Sequence, residues 1–351
     1  MKVIFECPVC SETRWYEASR HRYRLNEERD HNAHHSGCEI EYLKLRRRVM
    51  FELWWVNGEE VELITVVCIS CGFVCYSPRP DRKDLIAKYI FLRDHEKLGA
   101  AHAGGRRTCR LLSARSKYLR EAILGLTKQA PHKVLDVGGG DGRLLQPFLE
   151  LGSECFLVDF NQSPISGVCR LGTELEEIPF GMTFDVIICS HVLEHVAEPM
   201  VMLRRARDLL SPNGLLYIEV PLEVWKGVPI ASDPVTHINF FTKKVLEAAL
   251  LLAGLSPVMS EKRVAPYGEY YIRVVSIMAK RGNERQADNK GVEEAIGFLR
   301  PSFWENVCRL FVNIKIDVFL NCVPTIKSLV AKFTYKNRCV VAIDATEERN
   351  V

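Results

Sequence analysis

The sequence lacks a hydrophobic run long enough to cross a bilayer. Its best stretch, residues 310–330, is interrupted by Lys315, Asp317 and Lys327, whereas a spanning helix needs about 20 consecutive apolar residues. The opening MKVIFECPVC has no apolar core of signal-peptide length. Together these absences predict a cytoplasmic protein without a transmembrane segment. An excess of one charge is missing too: 47 Lys and Arg stand against 44 Asp and Glu, a net +3. That is far from the basic balance of a chain built mainly to hold duplex nucleic acid. Cysteine, by contrast, is not scarce. There are 13 in 351 residues, and in a reducing compartment CxxC pairs point to metal rather than to disulfides.

Four textures follow one another along the chain. Residues 1–85 are polar, rich in His and Cys, and bracketed by Cys7-Pro-Val-Cys10 and Cys68-Ile-Ser-Cys71. Residues 86–130 read as a helical connector or cap, with Gly104-Gly105 separating two helices and a basic run from Arg106 to Arg120. Residues 131–282 alternate short apolar runs with amphipathic stretches, the βαβ texture of a parallel sheet covered by helices. Strands are expected at 133–137, 154–159, 184–189, 215–220 and 271–279, and helices at 143–151, 199–210 and 243–253, the last ending at Gly254 as a left-handed cap. After a polar linker, residues 283–351 show helical patterning with Phe298, Leu299, Trp304, Leu310 and Phe311.

The densest signal is Val134-Leu135-Asp136-Val137-Gly138-Gly139-Gly140-Asp141-Gly142-Arg143. A buried strand runs into a tight glycine turn that opens a helix. Glycines at 138, 140 and 142 tolerate positive φ and let a ligand approach the backbone. A dinucleotide fingerprint starting at Gly138 needs glycine at 143, where Arg143 stands, and no Walker Gly-Lys-Ser/Thr follows.

This DxGxGxG pattern resembles the first motif of class I S-adenosylmethionine-dependent methyltransferases, and later landmarks match in order over about 150 residues. They are Phe156-Leu157-Val158-Asp159, the segment 173–180, Phe184 to Cys189, Val192-Leu193-Glu194-His195-Val196 and the segment 209–216. The resemblance implies a Rossmann-like α/β sheet that binds S-adenosylmethionine through Asp136, Gly138, Gly140, Gly142, Asp159, Phe160, Glu174 and Ser190. Asp159, at a strand end, is placed to accept charge-assisted hydrogen bonds from the ribose hydroxyls, and Glu174 stands where an acidic residue meets the adenine amino group. Asp185 begins a strand and reads as structural.

Two CxxC knuckles place four thiolates, Cys7, Cys10, Cys68 and Cys71, for a closed, structural four-thiolate zinc site of ribbon type. The 57 residues between the knuckles make a long insertion that contains His31, His34 and His35. Cys38 and Cys75 are alternative thiols. Cys71-Gly72-Phe73-Val74 with Ser77-Pro78-Arg79-Pro80 resembles the N-terminal zinc-binding segment of a methyltransferase group that includes sugar C-methyltransferases.

An in-line methyl transfer depends mainly on positioning, and a base matters where the acceptor keeps its proton until late. Loops at the C-terminal strand ends of an open sheet supply Ser190, His191, His195, Glu219, Glu223 and His237. His237 is the first candidate for a general base and His195 the second, with a loop-pinning role as the alternative for each. An Asn/Asp-Pro-Pro-Tyr/Phe signature of amine methylation is missing after the fourth strand, where Cys189-Ser190-His191-Val192 stands. The expected acceptor is a small hydroxylated molecule, a nucleotide sugar or glycan, methylated at O or C. Two other readings stay open: an RNA or other nucleic-acid methyltransferase using the basic run, and a non-catalytic cofactor-binding interaction module.

Overall fold

The computed structural model describes residues 3–25, 44–56, 58–95, 106–160, 163–226, 234–267, 270–285 and 290–300. Within the long insertion, His31, His34, His35 and Cys38 lie outside the described residues, as do the Gly104-Gly105 break and Trp304, Leu310 and Phe311.

Three strands form an N-terminal antiparallel sheet in the order β1-β2-β3: β1 Trp15–Arg24, β2 Glu60–Cys68 and β3 Val74–Ser77. Next come helices α1 (Arg82–His95) and α2 (Arg106–Thr127). The larger sheet has seven strands: β4 Lys133–Val137, β5 Glu154–Val158, β6 Val168–Gly172, β7 Phe184–Ser190, β8 Leu210–Pro221, β9 Leu255–Tyr267 and β10 Tyr270–Arg281. Their order is β6-β5-β4-β7-β8-β10-β9. The first five are parallel to their neighbours, while β10 is antiparallel to both β8 and β9. Helices α3 (Gln146–Leu149), α4 (Pro199–Leu209), α5 (Lys243–Leu252) and α6 (Lys290–Leu299) follow, with a π-helical turn at Val49–Trp54 between β1 and β2.

Central strands are legible because both their faces are covered, so they read as unbroken apolar runs. Val134, Leu135, Val186, Ile187 and Ile188 are all fully buried. Asp185 interrupts this pattern for a structural reason: its carboxylate accepts the N–H groups of His132 and Lys133 at 2.9 and 3.0 Å and the Ser211 hydroxyl at 3.0 Å. Two strands of the large sheet escape sequence reading, as do the three of the small one. β9 is a sheet edge carrying Ser256, Ser260, Glu261, Lys262 and Arg263, and its half-buried positions show no alternation. β6 is the opposite edge. The helix expected at 143–151 is shorter than predicted: a 3₁₀ turn, Arg143–Leu145, leads into one α-turn with Pro147 near its start. Gly254 has φ +74°, as expected of a left-handed cap.

The small sheet is docked onto the large fold rather than tethered to it. Phe240 N–H donates to the Val74 carbonyl at 3.0 Å, and two edge-to-face pairs flank this bridge, Phe73 with Phe241 and Tyr76 with Phe240. Arg79, buried, donates to the Ile238 carbonyl at 2.5 Å, Asn239 Oδ1 at 2.5 Å and the Ala197 carbonyl at 3.2 Å. Asn239 Nδ2 in turn donates to the carbonyls of Leu193 and Val196 at 2.7 and 2.8 Å. One hydrophobic core accordingly contains Cys7, Cys71 and Phe73 together with Leu246, Ala249 and Ile277. At the far side α6 seats on the second knuckle so closely that a Cβ on Gly291 would stand 2.1 Å from the Cys71 carbonyl oxygen.

The basic run divides. Arg110 and Lys117 are exposed, but Arg115 is buried and pairs with Glu219 at 3.0 Å. The run is therefore not one continuous cationic face for nucleic acid.

Asn239 carries the junction. Asn239→Leu removes the side-chain acceptor of a buried guanidinium and two donors from carbonyls, and should cost roughly 2 kcal/mol or more, the scale for a buried charged donor losing its partner. Denaturant unfolding measures this; a loss under about 0.5 kcal/mol, the size of an ordinary surface change, contradicts the clasp.

Candidate functional site

The glycine turn after β4 adopts the expected left-handed geometry: φ is +67° at Gly138, +64° at Gly140 and +78° at Gly142. Each position has a different steric reason. A Cβ on Gly138 would fall 2.4 Å from Val192 Cγ2, whereas around Gly140 the Cβ direction is open. Gly140 N–H donates to Asp159 Oδ2 at 2.9 Å, which fixes that carboxylate at the end of β5. Gly139, which the pattern DxGxGxG passes over, is equally constrained: its Cβ would stand 2.0 Å from Asp136 Oδ2. The sequence signal for it is the unbroken Gly138-Gly139-Gly140 run.

Asp136 lies behind the turn, fully buried, and neither oxygen has a hydrogen-bond partner among the described residues. Burial pushes its pKa up to about 7, against the pull of the Arg115 guanidinium and with the repulsion of Asp159.

A cavity of about 480 Å³ opens in front of the turn. Of the residues expected to hold a cofactor, Gly138, Asp159, Phe160 and Glu174 line it. Asp136, Gly140, Gly142 and Ser190 are not among the lining residues; Ser190 instead donates to Glu219 Oε1 at 3.1 Å and accepts from Arg115. The roof is α1. Arg82 pairs with Glu174, Tyr89 stacks on Phe160 with centroids 5.8 Å apart and planes 24° from parallel, and Leu85 and Ile86 add apolar wall. The amphipathic spacing of Leu85, Ile86 and Tyr89 shows a helix but not what it covers.

The other end of the cavity is built by the loop after β7. His191 has φ +60°, a left-handed conformation uncommon for any residue but glycine. Its ring lies 3.3 Å from a carboxylate oxygen of Glu194 on one side and of Glu219 on the other. Burial alone would lower its pKa; the two carboxylates outweigh burial and raise it. Glu219 does not face solvent, the option open for a strand end. It is fully buried and accepts from Arg115, Arg263, Tyr217 and Ser276, so that burial is overcome and the carboxyl is held well below its usual range.

Both histidines singled out as bases stand here. His195 lines the cavity, and since its Nδ1 is 2.7 Å from the Thr236 carbonyl, Nδ1 carries the proton and Nε2 the lone pair. Burial lowers its pKa to about 4, keeping it neutral. His237 is not among the lining residues; its ring packs edge-on against that of His195 at 4.7 Å, and its Nδ1 is 2.6 Å from Glu223 Oε2.

The four knuckle cysteines converge as expected. Cys7 and Cys71 sulfurs are 3.6 Å apart, those of Cys10 and Cys68 3.5 Å, and all four lie within 4.8 Å of one another. Sulfurs about 2.3 Å from a tetrahedral zinc stand about 3.8 Å apart, so the set fits such an ion. Cys75 is buried outside the cluster.

The turn yields a direct test of its packing. Gly139→Ala should cost roughly 1–3 kcal/mol by overpacking against Asp136, and less in an Asp136→Ala background. A double-mutant cycle with coupling under about 0.5 kcal/mol would refute the contact.

A family model described as a methyltransferase domain matches residues 106–260. The ubiquinone biosynthesis O-methyltransferase of Bradyrhizobium diazoefficiens is 33% identical over 110 residues, covering 28% of this chain and 44% of that protein. Its namesake in Histophilus somni is 32% identical over 140 residues, covering 34% and 57%. The chain thus spans about half the length of the curated relatives it matches. Among solved structures, the 1,6-didemethyltoxoflavin-N1-methyltransferase of Burkholderia thailandensis aligns with a TM-score of 0.45 at 19% identity, over 61% of this chain and 98% of that one. With its strand order, its glycine turn and the matching domain model, the chain carries a class I S-adenosylmethionine-dependent methyltransferase domain.

Proposed function

We propose that the chain transfers the methyl group of S-adenosylmethionine to a hydroxyl of a small acceptor. The observation that carries this reading is the cavity at the C-terminal ends of β4, β5 and β7, where the glycine turn and Asp159 meet. When bound, the cofactor supplies an electrophilic methyl on its sulfonium. Gly138 lets it approach the backbone, Asp159 accepts from its ribose hydroxyls, and Phe160 and Tyr89 wall the base. Arg82 holds Glu174 for the adenine amino group. At the other end His195 lines the cavity on the acceptor side, and His237, anchored by Glu223, packs behind it. Hydroxyl methylation is favoured by the names of the relatives, which are O-methyltransferases. The resemblance of the cysteine segment favours a nucleotide sugar or glycan. A small hydroxylated acceptor satisfies both.

Calorimetry should show S-adenosylmethionine binding to the wild type and at least tenfold weaker binding to Asp159→Ala, since charge-assisted hydrogen bonds contribute roughly 1.5–3 kcal/mol each and about 1.4 kcal/mol is tenfold. Wild-type protein that does not bind, or a variant indistinguishable from it, would falsify the reading.

The cysteine cluster is proposed to hold structural zinc that fixes the knuckles beneath α6. Elemental analysis should find about one zinc per chain, lost in Cys71→Ser and retained in His34→Ala. Zinc-free wild-type protein sinks the assignment.

A further inference from the structure

Glu194 is a conspicuous buried group in the cavity wall region. Its side chain is 1% exposed, it sits in the turn after β7, and neither carboxylate oxygen has a hydrogen-bond partner among the described residues. An ionised carboxylate buried without donors is costly unless a positive charge meets it. Histidines surround it: His191 Nδ1 is 3.3 Å and His195 Nε2 3.8 Å from Glu194 Oε1. One ligand atom each from Glu194, His195 and His237 falls within a set no wider than 4.8 Å.

We propose that Glu194, His195 and His237 form a second cation site, separate from the four cysteines, for a divalent ion such as Mn²⁺ or Fe²⁺. Two imidazoles and a carboxylate are a donor set suited to these ions. Both rings are anchored as ligating imidazoles usually are, each held through Nδ1 by an oxygen: His195 by the Thr236 carbonyl at 2.7 Å, His237 by Glu223 Oε2 at 2.6 Å. His191, against the same Glu194 oxygen, is placed to hydrogen-bond the ligating carboxylate. The backbone supports convergence from distant positions. Ile238 and Asn239 N–H groups both donate to the Glu194 carbonyl, at 2.9 and 3.1 Å, which ties the segment bearing His237 to the turn bearing Glu194 and His195.

Three protein ligands leave coordination positions open, the pattern of a catalytic rather than a structural ion. His195 is in the cavity wall, so an ion there can take the acceptor oxygen and acidify its hydroxyl. The O–H proton then leaves to solvent. The oxygen's electron pair forms the new O–CH₃ bond as the S–CH₃ bond breaks, with its pair remaining on sulfur. That catalytic use rests on the methyl-transfer reading; the binding of the ion does not.

The test is titration of zinc-loaded protein with Mn²⁺, followed by loss of the free-ion paramagnetic resonance signal, because Mn²⁺ prefers oxygen and imidazole donors over thiolates. The expected result is one Mn²⁺ per chain, with affinity reduced at least tenfold in Glu194→Gln and in His237→Asn, both checked for wild-type circular dichroism. No binding by the wild type up to millimolar Mn²⁺, or equal binding by wild type and both variants, overturns the site. Should Glu194→Gln fail to fold, the His237→Asn titration decides. S-adenosylmethionine binding measured on the same wild-type sample separates this outcome from failure of the methyltransferase reading.

Discussion

The clasp of Arg79 and Asn239 is the interaction on which the rest of the site depends. One guanidinium from the segment after β3 reaches the segment before α5, and one amide there reaches the turn after β7. Three pieces of chain far apart in sequence are thereby fixed together. The first carries α1 over the cavity, the second carries His237, and the third carries Glu194 and His195. A charged donor taken out of water must have acceptors, and here those acceptors are the walls of the site. The four-cysteine cluster extends the same logic, since it secures the strand ends from which Arg79 departs.

Electrostatics divides the cavity into two ends. At one, Asp159 stands beside exposed Phe160 and Tyr89, and Glu174 pairs with Arg82. At the other, Glu219 is neutralised by Arg115 and Arg263 and leaves His191 in a left-handed backbone conformation between two carboxylates. Strain of this kind tends to persist where surrounding structure over-determines it, often at functional sites. Glu194 differs from Glu219 in having no guanidinium against it among the described residues; His191 and His195 stand 3.3 and 3.8 Å from its Oε1. That difference separates a scaffold charge from the carboxylate proposed here as a ligand.

What the sequence reveals here follows the range of the interactions. The strand β4, its glycine turn and Asp159 are legible because the steric demand and the chain that answers it are adjacent. So is each knuckle, where the CxxC spacing pairs two thiols, although the 57 residues between the pairs leave their meeting to the segment that follows the second one. Arg79 with Asn239, separated by 160 positions, leaves no local trace, and neither does the use of α1 as a roof. Arg115 misleads for the same reason: within a run of Arg and Lys it looks like part of one basic face, and only the buried Glu219 across the fold explains it. β9 escapes a sequence reading because an edge strand need not alternate. Gly139 escapes it because its constraint comes from the Asp136 side chain rather than from its own backbone angle.

The most direct test of the central claim is transfer of a labelled methyl group from S-adenosylmethionine to pooled hydroxylated acceptors, including nucleotide sugars, glycans and phenols, with RNA as a separate pool. The account predicts label in a small hydroxylated acceptor, recovered as a methyl ether. Label confined to RNA, or no transfer by protein that binds the cofactor and holds its metal, would contradict it.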